Sequence, residues 1–363
     1  MQDRQIIPLY VQCNPLLDIV VASDDALLKR YGLKKDCAYI YSPQYSTLFE
    51  DWLPDHTLSV APGGAGLNTA RVAQWVWQHV LKKPGHVMYV GCVGKDKYGD
   101  QIRAAAEAHG VTMKLEVSHD RRSGLCAVCK VGDTRTLIAH PSSANFLSND
   151  FVNSPAVQDG QRFAKVIYTT AYANVSRVQQ TLQLMTSSRS RTLPDGTKQL
   201  TAIGLSNRRV LEEYGEGLVD VLEVLDIVIG NREEMSDLAM MLQWVPGEMS
   251  DAALAKNIAI EMMYDQHSVR QVIMTRGAES IIYATSNGEC GEVPVVGIDP
   301  HSTRLWATGV GDAFAGAFLA AFANKPDDLA FCCRLGAQAA TFVIHHGIQT
   351  LPTDEESLAG MQA

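Results

Sequence analysis

Short apolar runs alternate with longer amphipathic stretches along most of the 363-residue chain. Leu9–Val21 (LYVQCNPLLDIVV) is a β-type run, and Asn14-Pro15 breaks it in the middle. Val87–Cys92 (VMYVGC), Val166–Thr170 (VIYTT), Leu200–Leu205 (LTAIGL), Asp226–Ile229 (DIVI) and Val272–Thr275 (VIMT) read as short strands. Between them lie helical stretches. In Gly66–Val80 (GLNTARVAQWVWQHV), Leu67, Ala70, Ala73, Val76, Trp77 and Val80 fall near one face. Arg209–Leu225, Glu233–Trp244 and Ala252–Tyr264 are further helix candidates. Apolar strands alternating with helices predict an α/β fold: a central, mostly parallel sheet covered on both faces.

Two regions break the alternation. Residues 19–60 and 112–139 are less regular and richer in β-type residues, and Leu125–Lys130 and Thr134–Ala139 flank Val131-Gly132-Asp133 as a hairpin. These two regions are expected to form a small β-rich lid, with residues 1–18, 61–111 and 140–363 making the large α/β domain. Thr186–Gln199 (TSSRSRTLPDGTKQ) is expected as an exposed loop.

Composition narrows the classes. Hydrophobic residues at 46% and charged residues at 20% leave enough apolar surface for a core. A net charge of −9 disfavours a general nucleic-acid surface. No run of about 18 apolar residues suggests a membrane partner. The N-terminal MQDRQIIPLYVQ lacks an apolar signal region and GMQA matches no common address tag, so a reduced, cytoplasmic protein is expected. The eight cysteines fit that expectation better than a disulfide frame. Cys126 and Cys129 form a lone CxxC inside a strand, where a three-residue offset points the thiols to opposite faces. Two ordinary buried thiols are therefore expected rather than half a zinc site.

The stretch ATGVGDAFAGAF (307–318) places one acid, Asp312, where a glycine turn opens into an apolar helix. Glycines at 309 and 311 allow a tight turn with exposed amides, and the helix dipole adds positive potential there. That combination binds a phosphate, and a carboxylate beside it suits a general base for an attacking hydroxyl. The same residues also read as a plain turn and cap. Pro62–Asn68 (PGGAGLN) is a second glycine turn into a helix, either a ligand approach with a polar Asn68 or a simple helix entry. Asp18 is a lone acid in an apolar run, which must be paired or used, or else sit in solvent at a strand end. Gly230-Asn231-Arg232-Glu233-Glu234 follows a strand, where ligands of α/β sheets sit. Asn231 and Glu234 could organise a hydrated Mg²⁺, or could cap a helix. Arg135 in the hairpin is either a lid cation for phosphate or a surface arginine. There is no GxxxxGK[ST], no HRD or DFG set, and no GxGxxG after the first strand.

Taken in order, NPLLDI, GGAGLN with ARVAQW, GCVGKDKYGD, TRTLIA, GNREE, MTRG and GVGDAFAGAF resemble the ribokinase (PfkB-type carbohydrate kinase) family over nearly all of the chain. NPLLD, PGGAGLNTARVAQW and VGCVGKDKYGD are similar to its nucleoside branch. The resemblance implies a ribokinase-like three-layer α/β/α fold with a small β lid. It implies transfer of phosphate from ATP, with Mg²⁺, to the ribose 5′-hydroxyl of adenosine. It assigns Asp312 as base and the amides of Gly309, Val310 and Gly311 as anion hole. Asn14, Asp18, Gly63, Gly64, Asn68 and Tyr172 would bind nucleoside. Arg135, Asn231, Glu234, Thr275, Arg276 and Gly277 would serve ATP and phosphate, with Asn231 and Glu234 reaching the metal through water. A divergent nucleoside-binding paralogue and a kinase for another sugar or nucleoside are the alternatives. Trp306 and Ala307 stand where the family has Asp-Thr, so activation by K⁺ is not expected. A monomer is expected by analogy.

Overall fold

The computed structural model describes residues 6–189, 191–206, 217–261, 269–298, 308–354, 358 and 361. Among these residues, fourteen strands form two sheets. They are β1 (Ile7–Gln12), β2 (Leu16–Ala22), β3 (Ala38–Ile40), β4 (Thr57–Gly63), β5 (Met88–Gly94), β6 (Thr112–Ser118) and β7 (Leu125–Val131). The series continues with β8 (Thr134–His140), β9 (Ala164–Thr170), β10 (Leu200–Gly204), β11 (Ile227–Asn231), β12 (Gln271–Arg276), β13 (Glu279–Thr285) and β14 (Cys290–Val293).

The large sheet runs β14-β13-β12-β11-β10-β9-β1-β5-β6. Its pairs from β6 through β12 are parallel, and β13 and β14 add an antiparallel edge. Period-two alternation sorts the strand side chains onto two faces. Leu9, Val11, Ile227, Ile229 and Ile273 join the core beneath the helices Ala65–Trp75, Val310–Asn324 and Leu329–His346. Tyr10, Val228, Val272 and Met274 join the core on the opposite face, beneath the helices Ala171–Arg189, Arg232–Met241 and Asp251–Ile260. The three-layer α/β/α architecture follows from this division.

The small sheet runs β3-β8-β7-β2-β4. One face has its own core, containing Ile19, Val21, Leu48, Ala127, Cys129 and Ile138. Cys126 faces the other way, toward the cavity described below, so the CxxC thiols do lie on opposite faces. All eight cysteines are free.

Three boundaries differ from the sequence reading. Thr112–Ser118, expected in the lid, pairs in parallel with β5 as the large sheet's edge. The helix Lys97–Glu107 is the crossover that such a parallel pair requires. Leu16–Asp18, expected in the large domain, begins the small sheet's β2, and Ala61–Gly63 ends its β4. The break at Asn14-Pro15 is where the chain passes from one sheet to the other. Thr186–Gln199 is not one exposed loop: Thr186–Arg189 is helical, and the Gln199 side chain is buried, its amide donating to the carbonyls of Gln161 and Ala164. The expected helix beginning at Arg209 lies partly outside the described residues, as does the end of the one expected over 252–264. Among the described residues, no helix is long and apolar enough to cross a membrane.

The helix Val310–Asn324 is built from small and aromatic residues, buried from Ala313 to Ala323. At Gly316 a Cβ would sit 2.5 Å from the Thr69 carbonyl oxygen of the helix Ala65–Trp75. Backbone cannot yield there as a flexible side chain would. Gly316→Val is expected to destabilise the fold by about 1–3 kcal/mol or more. A melting curve would check this, and an unchanged Tm would mean that the two helices do not approach so closely.

Candidate functional site

The strands β1, β9, β10, β11 and β12 all end at one edge of the large sheet, where ligands of open α/β sheets bind. Beyond that edge the small sheet presents its second face. Between them lies a cavity of about 440 Å³. Cys13, Thr170, Gly204, Asn231 and Thr275 line it from the strand ends, and Leu16, Asp18, Ile40, Leu137 and Ala139 line it from the small sheet.

The glycine turn before Asp312 closes one side. Gly309 is the N-cap of its helix, with φ +82, a left-handed conformation natural to glycine. A Cβ there would also meet Ile348 Cδ1 at 2.9 Å. No side chain caps this helix, so the amides of its first turn have no intrahelical acceptor. Gly311 lines the cavity, and a Cβ on it would meet nothing within 4 Å. The amides, the dipole and the open space form an anion site.

Asp312 is half-buried and lines the cavity. Its Oδ2 accepts from Asn68 Nδ2 at 3.0 Å. Burial pushes its carboxyl up to about 6, against the opposing effect of the Asn68 bond. Asp18 is pushed up to about 7, first by burial and then by the charge of Asp312, with Arg71 opposing. Asp18 also explains Gly63: a Cβ there would lie 2.0 Å from Asp18 Oδ1. Gly64 has φ +89 and begins the helix carrying Asn68.

Asn231 and Glu234 form a reciprocal capping box: Asn231 Oδ1 accepts from the Glu234 amide, and Glu234 Oε2 accepts from the Asn231 amide, each at 2.9 Å. They are thus a helix cap, and they also line the cavity. Burial pushes the Glu234 carboxyl up to about 7; the Asn231 bond opposes this, and Asp312 adds to it. Glu234 and Asp312 therefore crowd negative charge at one wall. Among the described residues, no group of three or more His, Cys, Asp or Glu side chains could hold a metal. The donor set suits a cation with few protein ligands and many oxygens from elsewhere.

Asn14 and Tyr172 line the cavity. Asn14 Oδ1 accepts from Arg177 Nη2 at 2.7 Å, and its Nδ2 donates to Asn145 Oδ1 at 2.8 Å. Thr275 lines the cavity, but its neighbours in the motif do not. Arg276, expected to serve ATP, forms ion pairs with Asp251, Glu279 and Glu292 and donates Nε to the Ser280 carbonyl. One residue on from Thr275, it points to the other face of β12. Gly277, with φ +63, is the turn residue between β12 and β13, and its surroundings are open. Arg135 is not on the cavity wall. It shares a face of β8 with Leu137 and Ala139, nearer the hairpin tip, and its amide donates to Asp36 Oδ1 at 3.0 Å. Trp306 and Ala307 lie outside the described residues, as do the last three positions of GLSNRR (204–209).

The sequence reading passed over Arg71, which is wholly buried and donates to Asn68 Oδ1 at 3.4 Å. A signal was present: a guanidinium three residues after Asn68, on a helix whose other residues are mostly apolar or small.

Comparison with known proteins gives a consistent result. The family described as pfkB family carbohydrate kinase matches residues 32–355. The chain is 27% identical to adenosine kinase 2 of Arabidopsis thaliana over 339 residues, 93% of this chain and 94% of that protein. The solved structure of Trypanosoma brucei brucei adenosine kinase without ligand is 35% identical, with a TM-score of 0.81, covering 95% of this chain and all (100%) of that one. Schistosoma mansoni adenosine kinase, solved with adenosine and AMP, is 25% identical, with a TM-score of 0.80 over 95% of this chain and 97% of that one.

Proposed function

The chain belongs to the pfkB family of carbohydrate kinases, and from that premise we propose that it transfers the γ-phosphoryl group of ATP to the 5′-hydroxyl of adenosine, giving ADP and AMP. The observation that carries this reading is Asp312, held by Asn68 beside the uncapped amides of a glycine-led helix, in a cavity that a second acid, Asp18, also lines. The two relatives solved as adenosine kinases support the choice of nucleoside.

Each group then has a task. Asp18 accepts hydrogen bonds from the ribose hydroxyls, which seats the 5′ end toward Asp312. Asn68 holds the Asp312 carboxylate, and Asp312 takes the 5′-hydroxyl proton as the oxygen attacks phosphorus. The amides at Gly309–Gly311 receive the charge of the transferring phosphoryl group, and they are fixed before the reaction begins. Tyr172 and the apolar wall of Ile40, Leu137 and Ala139 enclose the base. Thr275 lies on the ATP side. Arg135 reaches the phosphates only when the small sheet closes. Asn231 and Glu234 would hold Mg²⁺ through water, and the bound ion would neutralise phosphate charge beside Glu234 and Asp312.

Phosphate transfer from ATP–Mg²⁺ to adenosine, measured with the purified chain, tests the reading. Adenosine binding without transfer would leave a nucleoside binder. The pH profile should follow the working carboxylate. The ionised form of Asp312 is the base and the ionised form of Asp18 receives the ribose hydroxyls, so kcat/KM should fall on acidification through about pH 6–7, and kcat, with adenosine holding Asp18, with a limb near pH 6. A limb near pH 4 would mean that Asp312 sits in water rather than in the enclosed site.

A further inference from the structure

Among the described residues, Arg71 is one of the bulkiest fully buried side chains. A buried cation is costly unless it is paired and hydrogen-bonded, so its partners show what it is for. Nη1 donates to Asn68 Oδ1 at 3.4 Å. Nη2 donates to Gln349 Oε1 at 2.9 Å and to the Ile348 carbonyl at 3.3 Å. It also lies 3.4 Å from His109 Nε2. His109 Nδ1 is 2.8 Å from the Ala105 carbonyl, which can only accept, so in the neutral ring Nε2 faces the guanidinium as an acceptor.

Two consequences follow. The first concerns Asn68. Its oxygen faces the cation, so its nitrogen must face Asp312. A flipped amide would set N–H against guanidinium and oxygen against carboxylate. The second concerns the chain after Gly347. Gln349 Nε2 donates to the Pro62 carbonyl at 3.1 Å, one residue before the Gly63-Gly64 turn. Ile348 packs beneath Gly309, the cap of the anion site. One guanidinium thus ties the helix of Asn68 to the segment supporting both glycine turns.

We propose that Arg71 is a positioning residue that locks the Asn68 amide toward Asp312 and, through Ile348 and Gln349, holds the two glycine turns in register. The inference rests on the phosphotransfer reading above. The charged or titratable groups around it are Asp18 and Asp312 on the cavity side and His109 behind.

The test is a kinetic cycle on the full chain with ATP–Mg²⁺ and adenosine, from pH 5 to 9, using Arg71→Met, Arg71→Lys, Asn68→Ala and the double variants. Arg71→Met is expected to lower kcat by about 10²-fold, the scale of an ångström misplacement. The KM for ATP should stay within about threefold, since the lock acts on the base. With adenosine saturating, so that Asp18 is engaged by the sugar and does not enter the profile, the acid limb of kcat should move to higher pH, because a released Asn68 no longer lowers the Asp312 carboxyl. Arg71→Lys keeps the charge and should restore the limb, while losing rate because one ammonium cannot span both partners. In the Asn68→Ala background, either change at Arg71 should cost clearly less than it does in the parent, the remainder being the share that passes through Ile348 and Gln349. Additive losses, or an unmoved limb, overturn the proposal. If Arg71→Met shows no melting transition, the same cycle with Arg71→Lys decides. Parent turnover untouched by these changes would defeat this inference alone, whereas a parent without turnover would defeat the phosphotransfer reading.

Discussion

Asp312→Asn is expected to lower kcat by about 10³–10⁴-fold while leaving adenosine binding within a few-fold of the parent. The change keeps the shape and an oxygen to accept from Asn68 Nδ2, and it removes only the ability to take a proton. Were Asp312 merely an acid complementing the helix dipole, the same substitution would cost about 0.3–1 kcal/mol of stability and leave the rate alone. The stability change should in fact run the other way. The folded value of about 6 lies above the ordinary carboxylate value, so the folded chain holds this proton more tightly than the unfolded one. That contribution to stability is fully present below the unfolded value and is lost as pH rises through about 6. At pH 8 the ionised carboxylate is therefore a burden, of at most about 3 kcal/mol and less where cavity water screens it. Asp312→Asn should melt higher than the parent at pH 8, with the difference closing toward pH 4. Single-turnover kinetics and melting curves across pH check both halves. A variant that keeps its rate, or that melts lower at pH 8, would contradict the assignment.

A protein that stores charge repulsion in its own site is easiest to read where the device is local. Gly309-Val310-Gly311-Asp312 was legible because turn, helix start and acid are adjacent in the chain. The strand pattern was legible for the same reason: apolar runs of four to six residues report two-sided burial without reference to distant partners. What escaped is non-local. Arg71 meets His109, Ile348 and Gln349, at sequence separations of 38, 277 and 278, and no window of sequence joins them. Arg276 shows the opposite case. The MTRG motif marks a strand end whose Thr275 lines the cavity, yet the arginine pairs with Asp251, Glu279 and Glu292, two of them on β13 and β14, strands absent from the sequence reading. Thr112–Ser118 reads as part of the lid in the sequence because the region is irregular and rich in β-type residues; in the structure its intermediate and buried residues alternate like those of a half-exposed sheet. That is what an edge strand of the large sheet also looks like.

Asp18→Ala should cost about 10²–10⁴ in kcat/KM for adenosine. Two hydroxyls bonded to one carboxylate are worth about 1.5–3 kcal/mol each, and both are lost at once. The carboxylate stands in a site that pushes its pKa to about 7, so it is poorly solvated and waiting for donors. The parent should therefore discriminate strongly against 2′,3′-dideoxyadenosine, and the variant should not. Gly63→Ala provides an independent route to the same defect. It leaves Asp18 in the sequence but places a methyl group 2.0 Å from where Oδ1 now lies, so the carboxylate must swing away. If Asp18 holds the sugar, both variants lose the same discrimination between adenosine and its dideoxy analogue, and each keeps its KM for ATP. If Asp18 were only a strand-end acid, Gly63→Ala would disturb packing and lower Tm, yet the substrate ratio would stay at the parent value. Comparing the two ratios separates a carboxylate that binds from one that merely fits, because the glycine variant changes the acid's position without changing its charge.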